Sequence, residues 1–480
     1  MDPLRLAITD YQDDTHWRWC LSDGAGRFLA DHQVQLDPGA RESRGLRDLR
    51  DDLDYYTPAY PPDEQLKDLG VWIGEAIFGG LKDALHQQAL KPATPIRVEV
   101  PPEARALLHR PFDLARLAGR DGPSLGELGL SLVYCPAGLP DGSRAKDQTG
   151  EALRVLACFS LPDNANPLNL RRERYGLKRL VQALAQTRGR SVTLRVIQYG
   201  ATRDTLKDAL QEAPGWDLIH LSGHGGAGEL LLETPAGGMD RIGAGELAGL
   251  LAPARGRVKL LILAACYSGA ASHMAARARL GLDLTPARDG AEPGQTGLPS
   301  LAEDLARALD CAALAMRYPV DDSFATDLSL ALYDQLLAHR QPLPAALRLA
   351  LDAALAADPA ARGPADLSPY TPVLLGPRAA GLTLVPPARP PGGFVLPQTG
   401  LHAFPAEPPR FVGRVGPMLR ASLALAPESP YRAVLFHGMA GAGKTACALE
   451  LAYRHEQDRF AGQVWYQGPE DGRSGPHSMT

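Results

Sequence analysis

Two stretches decide the predicted fold: WDLIHLS at residues 216–222, which leads into GHGG, and VKLLILAA at 258–265, which leads into CYSG. Each is a short apolar run of strand length that ends at small or polar residues. A helical pattern near 244–251 lies between them. Parallel strands need a crossover connection, usually a helix, so the two runs are predicted to lie side by side in one parallel sheet.

The same alternation of strand and helix extends outward from these two runs. Further strands are predicted at 153–160, 191–198, 311–318 and 371–375. Further helices are predicted around Leu177–Leu184 and near 203–212, 299–309, 323–339 and 343–356. This order predicts an α/β fold with a mainly parallel sheet flanked by helices.

Composition and pattern divide the chain into four predicted regions. They are a mixed α/β region that packs partly on the next one (1–145), the α/β domain (151–380), a linker rich in Pro and Gly (386–405) and a phosphate-binding region (406–480). Within the first region, short strands are predicted at 4–8 and 95–100, and one helix at 66–89.

Charge and cysteine usage exclude several classes of protein. A net charge of -5 and a pI near 6.2 give no sign of a nucleic-acid binder. The six cysteines are scattered and form no C-x-x-C pair, so neither a zinc site nor a disulfide framework is indicated. No signal peptide and no run of 18 apolar residues is found. A cytoplasmic protein without membrane contact is therefore predicted.

Candidate catalytic residues follow the two central strands, at the sheet edge where open α/β folds place their sites. His224 stands in SGHGG and Cys266 in AACYSG. A nearby imidazole can accept the thiol proton and activate the sulfur as a nucleophile. The backbone N–H groups of Gly225 and Cys266 are predicted to form an oxyanion hole.

Each residue of this pair also has a structural interpretation. A lone cysteine at a strand end is more often a small buried apolar residue, and a lone histidine in a glycine-rich loop is more often a turn residue. The occurrence of both at successive strand ends favours catalysis. His220 lies inside its apolar run, so it is predicted to be a packed or hydrogen-bonded core residue.

The chain resembles the CHAT domain, a family of caspase- and separase-like cysteine peptidases. The resemblance covers about residues 95–376 and rests on four segments: LRVLACFSLPDNANPLNLRRE (153–173), the SGHG block with His224, LILAACYSG with Cys266, and ALAMRYPVDDSFAT (313–326). It implies a caspase-like sheet and a cysteine endopeptidase that cleaves a protein substrate without a cofactor. It also implies that His224 is the catalytic histidine and Cys266 the nucleophile.

The resemblance further implies that residues after the fifth strand line the specificity pocket, near Arg317 and Tyr318. Asp321 or Asp322 would then favour a basic residue before the scissile bond. An equally weighted alternative is that one of these acids caps the helix that starts near Ser323.

A phosphate-binding motif is predicted at 433–445, AVLFHGMAGAGKT. A strand, AVLFH, would lead into Gly438-x-x-x-x-Gly443-Lys444-Thr445, with Gly441 inside the loop, and a helix would follow. Backbone N–H groups would surround the phosphates of ATP, Lys444 would reach the terminal phosphates, and Thr445 would bind Mg²⁺.

This motif and FVGR at 411–414 resemble the start of STAND-type signalling NTPases, over residues 410–480 only. VWYQG at 464–468 is the predicted second strand. Because no Walker B acid follows, we expect a fragment of a longer protein, with a nucleotide site too incomplete for efficient hydrolysis. The resemblance implies an ATP-dependent control of the peptidase, oligomerisation, and a role in bacterial defence or cell-death signalling.

Two other functions remain open from the sequence. The CHAT-like domain is alternatively a catalytically inactive interaction module attached to a signalling NTPase. A third interpretation is a hydrolase of another class that uses the same pair on a small ester or amide.

Overall fold

The computed structural model describes residues 3–47, 49, 62–89, 94–139, 149–162, 165, 168–226, 228–265, 301–318, 320–357, 367–388, 404–405, 411, 414–425 and 429–455. Cys266 and the predicted strand at 464–468 lie outside the described residues.

The N-terminal part of the chain contributes five strands: β1 Leu4–Asp13, β2 His16–Ser22, β3 Phe28–Gln35, β4 Thr94–Val100 and β5 Leu130–Pro136. Its helices are α1 Arg41–Arg47, α2 Pro62–Trp72 and α3 Lys82–Ala89, with a π turn at Ile73–Ile77 and 3₁₀ turns at Gly79–Leu81, Pro102–His109 and Phe112–Leu114. Strand β2 buries Trp17, Trp19 and Leu21 on one face, as its alternating sequence requires.

The segment 66–89 is helical, as predicted, but it is not one regular α-helix: a π turn at Ile73–Ile77 and a 3₁₀ turn at Gly79–Leu81 interrupt it. A Cβ atom at Gly80 would lie 2.5 Å from the backbone oxygen of Asp31 on β3. The close approach of the two backbones therefore requires glycine here, and glycine is a poor residue for a helix interior.

The second part of the chain alternates strands and helices. Its strands are β6 Leu153–Ser160, β7 Val192–Gln198, β8 Leu218–Gly223, β9 Gly225–Gly226, β10 Glu229–Glu233, β11 Met239–Gly243, β12 Leu260–Ala265, β13 Ala312–Met316 and β14 Pro372–Leu375. Its helices are α4 Leu170–Thr187, α5 Arg203–Leu210, α6 Ala244–Leu251, α7 Leu301–Leu309, α8 Asp322–Tyr333 and α9 Leu343–Ala357. A π turn at Asp334–Ala338 and 3₁₀ turns at Ala252–Ala254, Ser368–Tyr370 and Pro377–Ala380 complete this part.

Within the described part of the chain, eleven strands form one sheet in the order β3-β2-β1-β4-β5-β14-β13-β12-β8-β6-β7. Its pairs are parallel except β1 with β2, β2 with β3 and β13 with β14. Strands β9–β11 form a separate small sheet. The predicted mainly parallel α/β sheet is thus confirmed, and the predicted regions 1–145 and 151–380 share it.

Helices cover both faces of the central strands, because alternate residues of each strand enter different cores. On β6, Leu156 and Cys158 pack into the core that α5, α6 and α7 cover. Val155, Ala157 and Phe159 pack into the core that α4, α8 and α9 cover. The central strands are therefore the middle of three layers, whereas the edge strand β3 is largely exposed.

The C-terminal part contains α10 Val415–Ala424 and α11 Lys444–His455, which pack beside the edge strand β7. Arg454 of α11 donates to the backbone oxygen of Val196 at 2.8 Å. The predicted strand at 433–437 is wrong: residues 431–438 form no strand, and Leu435 is 83% exposed. A strand is stable only when a neighbour pairs with its backbone groups, and no described strand lies beside this segment.

None of the helices in the described part of the chain combines the length and the apolar character that a membrane span requires.

Candidate functional site

The carboxyl ends of β8 and β12 lie side by side. Ala265, the last residue of β12, pairs with Gly223, the last residue of β8. His224 follows Gly223 directly, and a peptide bond joins Cys266, outside the described residues, to Ala265. The predicted adjacency of the two strand ends is therefore confirmed, whereas a contact between the His224 and Cys266 side chains remains a prediction.

Gly223 lies between β12 and β6, and its backbone has a φ of 154°. It pairs with Ser160 of β6, and a Cβ atom there would stand 2.4 Å from the Ser160 backbone oxygen. A glycine is thus required where β8 ends, both for the dihedral angle and for the close approach. This packing determines where the chain leaves the sheet on its way to His224.

The half-buried His224 is held at its backbone by the small sheet. The Leu231 N–H donates to the His224 carbonyl oxygen at 3.0 Å. Gly225 pairs with Leu230 in the next position of the same antiparallel ladder. Since hydrogen-bonded and non-hydrogen-bonded pairs alternate, the N–H of Gly225 is directed away from β10. This orientation is compatible with the predicted oxyanion role of Gly225, which stays a prediction.

A cluster of buried polar side chains joins α4 to β8, the strand that ends one residue before His224. The Ser222 hydroxyl donates to the Glu173 carboxylate of α4 at 2.7 Å, and the Nε2 atom of His220 lies 3.2 Å from the other Glu173 oxygen. Burial by itself raises the pKa of this carboxyl, but His220, Ser329 and Ser222 outweigh it and hold the pKa below its usual value. Glu173 is therefore a buried anion that fastens α4 to β8.

The prediction that His220 is a core residue is confirmed: its side chain is fully buried, with Phe159 and Tyr333 beside its ring. The role of Glu173 was not predicted from the sequence. Its signal was a charged residue on the apolar face of α4, three positions after Leu170 and four before Leu177.

The predicted specificity residues lie at the start of α8. Asp321 is the N-cap: its carboxylate accepts from the backbone N–H groups of Ser323 at 2.9 Å and Phe324 at 3.2 Å. The capping alternative is thus confirmed. Asp322 accepts from the backbone N–H of Asn169 at 2.7 Å. A contact of either acid with substrate stays a prediction.

Arg317, also predicted near the pocket, is 2% exposed and pairs with Asp113 at 3.2 Å. Burial raises the pKa of Asp113, against the effect of the arginine. This arginine is therefore part of the packed interior where β13 ends.

Two of the described cysteines outside the proposed site have environments that disfavour the thiolate. Burial raises the pKa of Cys158 on β6 and of Cys447 on α11. Cys311 is buried, whereas Cys20 and Cys135 are half-buried, and none of these five described cysteines forms a disulfide bond. Among the described residues, no group of three His, Cys, Asp or Glu side chains is arranged to hold a metal ion.

The predicted phosphate-binding loop has glycines in backbone conformations that other residues rarely adopt. Gly438, Gly441 and Gly443 have φ values of 146°, 75° and 81°, and α11 starts directly after them, at Lys444. The Lys444 ammonium donates to the backbone oxygens of Gly438 at 3.1 Å and Met439 at 2.8 Å. Thr445 is exposed in the first turn of α11. These residues fit a nucleotide phosphate chain with Mg²⁺.

An open cavity of about 700 Å³ lies beside this loop, and Arg414, Phe436 and Lys444 are among its lining residues. Such a volume is within the range of small-molecule sites. The loop and the cavity are together large enough for a nucleotide.

Comparisons with known proteins give one family and several solved structures. The sequence model of the family described as CHAT domain matches residues 67–377. The Arg-specific cysteine proteinase gingipain R is similar in structure, with 12% identity, a TM-score of 0.42, and coverage of 69% of this chain and 77% of that chain. Separase of Saccharomyces cerevisiae, in its complex with securin, has 11% identity, a TM-score of 0.44, and coverage of 78% of this chain and 30% of that chain. No curated protein matches the chain.

Proposed function

Since this chain belongs to the CHAT domain family, we propose that it is a cysteine endopeptidase that uses His224 and Cys266 on a protein substrate. The observation that carries the proposal is the pairing of Gly223 with Ala265 at the carboxyl edge of the sheet. This pairing brings together the residues that immediately precede His224 and Cys266.

The chemistry follows from the two side chains. The imidazole of His224 takes the proton of Cys266, and the thiolate attacks the carbonyl carbon of the scissile peptide. The N–H groups of Gly225 and Cys266 stabilise the negative oxygen that forms. His224 then gives its proton to the leaving amine, and a thioester remains on Cys266. Water, deprotonated by His224, attacks the thioester and releases the acid product and the thiol.

Alkylation with iodoacetamide at neutral pH tests whether Cys266 is activated. We expect Cys266 to react about tenfold or more faster than Cys20, because an imidazole partner increases the thiolate fraction. Cys158 and Cys447 are expected to react slowest, since burial raises the pKa of each thiol. Mass spectrometry of peptides from the chain gives the rate at each cysteine.

The matched variant for this labelling is His224→Ala, which should lower the Cys266 rate to that of Cys20. A wild-type Cys266 that reacts no faster than Cys20 would favour the alternative of an inactive interaction module. A reactive Cys266 in a chain that hydrolyses small esters but no peptide would favour the third interpretation.

We also propose that the loop at 438–445 binds ATP together with Mg²⁺. The metal ion would neutralise part of the negative charge of the phosphates. Lys444 would contact the terminal phosphates and Thr445 the metal. The Lys444→Ala chain is expected to lose at least tenfold in affinity for Mg-ATP, about 1.4 kcal/mol, because a cation at the phosphates is removed. Titration calorimetry measures this, with Arg432→Ala as a control that removes an arginine outside the motif. Equal affinity of the Lys444→Ala and wild-type chains would contradict the proposal.

Control of the peptidase by ATP, oligomerisation through the P-loop region and a role in bacterial defence rest on the resemblance to signalling NTPases. A cytoplasmic location and a preference for basic residues through Asp321 or Asp322 likewise stay predictions.

A further inference from the structure

The helix that follows the phosphate-binding loop is fastened to the peptidase domain by a buried anion. Glu450 of α11 is fully buried, and its carboxylate lies 2.6 Å from Nε of Arg171 and 3.2 Å from a terminal nitrogen of Arg174, both on α4. The Tyr199 hydroxyl donates to the same carboxylate at 3.1 Å. These four residues, Glu450, Arg171, Arg174 and Tyr199, are called the Glu450 clamp below.

The Glu450 clamp is a buried contact between segments that are far apart in sequence. Arg171 and Arg174 are 8% and 6% exposed, and burial together with the Glu450 charge raises the pKa of Tyr199, which keeps its hydroxyl as a donor. Met418 of α10 and Leu451 of α11 pack with Tyr199 in one apolar cluster. Removal of one member of a buried charge group leaves the other charges without compensation, so such a contact resists separation.

Helix α4 also contacts β8, the strand that ends one residue before His224. Between the two clamp arginines in sequence lies Glu173, which accepts from Ser222 at 2.7 Å. Ser222 lies on β8, two residues before His224. A shift of α4 toward or away from α11 therefore moves the anion that anchors the end of β8.

A second connection runs from Tyr199 to the small sheet. The next residues, Gly200 and Ala201, donate their N–H groups to the buried Glu233 carboxylate at 2.7 and 3.2 Å. Glu233 ends β10, the strand whose Leu231 N–H donates to the His224 carbonyl oxygen. Both connections from the Glu450 clamp thus end at the segment that carries His224.

We propose that Glu450 is a positioning residue for the His224 segment, and that displacement of α11 loosens this segment through α4 and β10. Glu450 lies six residues after Lys444 on one helix, about 9 Å along its axis, so a ligand that moves Lys444 also moves Glu450. The proposal deepens the proposed function, because it names a regulation of the same site. The coupling needs no direct contact between the phosphate-binding loop and the site.

Hydrogen exchange of backbone amides in the complete chain tests the coupling, with Glu450→Gln compared with the wild type. We expect the Leu231 amide and its neighbours in β10 to exchange at least about fivefold faster in the variant. Amides of β1 and β4, at the far side of the sheet, are expected to keep their wild-type rates. The readout needs neither cleavage nor nucleotide, so failure of the coupling is distinct from failure of the proposed peptidase, which cleavage and alkylation report.

Glu303→Gln is the matched control. Glu303 is 1% exposed on α7 and also pairs with two arginines, Arg105 and Arg307, but it does not belong to the clamp. Its substitution should leave the Leu231 amide unchanged. Tyr199→Phe removes one clamp hydrogen bond without an unpaired charge; it should speed Leu231 exchange less than Glu450→Gln does, and it decides the question if Glu450→Gln does not fold. Faster exchange confined to α11, with Leu231 unchanged, would overturn the proposal.

Discussion

Cys266→Ala and His224→Ala are each expected to lower kcat/KM for peptide cleavage by about 10³-fold or more, measured with a fluorogenic peptide library. In the proposed mechanism, the first substitution removes the sulfur that attacks the carbonyl carbon. The second removes the group that is proposed to activate this sulfur and to protonate the leaving amine. Because the two side chains act in one step, the double variant should be little worse than either single variant.

Cys20→Ala is the control for this experiment. Cys20 is half-buried on β2, remote from the carboxyl ends of β8 and β12, and its loss should leave cleavage unchanged. Cleavage that survives Cys266→Ala would exclude Cys266 as the nucleophile. A wild-type chain that cleaves no peptide, and whose Cys266 is alkylated no faster than Cys20, would support the inactive interaction module.

Gly223→Ala is expected to abolish measurable cleavage and to lower the free energy of unfolding. The φ of 154° alone costs a residue with a side chain about 1–3 kcal/mol. The added Cβ would also meet the Ser160 backbone oxygen at 2.4 Å, so β8 must move away from β6. Because His224 is the next residue, this movement displaces the candidate catalytic histidine. Urea denaturation and the peptide assay measure the two effects.

Gly249→Ala is the matched control, because it adds the same methyl group at a position with space for it. Gly249 lies in α6, its φ is not positive, and no atom lies within 4 Å of the Cβ it would acquire. We expect wild-type cleavage and a stability equal to the wild type or up to about 1 kcal/mol higher, since alanine is the better helix residue. A Gly223→Ala chain as stable and active as Gly249→Ala would contradict the tight packing between β6 and β8.

The local pattern of the sequence was sufficient for the strands of the main sheet and the helices in the second part of the chain, whereas the small sheet of β9, β10 and β11 was not predicted. Apolar runs such as 153–160 and 258–265 are buried on both faces, and their apolar composition alone predicts this burial. The hairpin of β2 and β3 was missed, although Trp17, Trp19 and Leu21 alternate with polar residues in the way a half-buried strand requires. The segment 433–437 has strand-forming residues but no described partner strand, so its propensity is not realised.

The candidate site also has features that depend on local sequence and features that depend on tertiary packing. The sequence by itself determined that a histidine and a cysteine each follow an apolar strand, that the histidine is surrounded by glycine, and that a glycine-rich loop precedes a helix. These features are local, because each depends on residues within a few positions of one another. The positive φ values of Gly438, Gly441 and Gly443 show how closely such a motif specifies its own backbone.

Only the tertiary structure decided which elements meet. It places β14 antiparallel to β13 and parallel to β5, and so joins the N-terminal strands to the sheet of the candidate site. It also gives Glu173 and Glu450 their roles: in the sequence each is one acid in a helix, whereas in the fold each is a buried anion with specific partners. Arg171 and Glu450 are separated by 279 positions. Periodicity records which side of a helix is apolar, but the partner of a buried charge depends on packing between distant segments, and no local pattern contains that information.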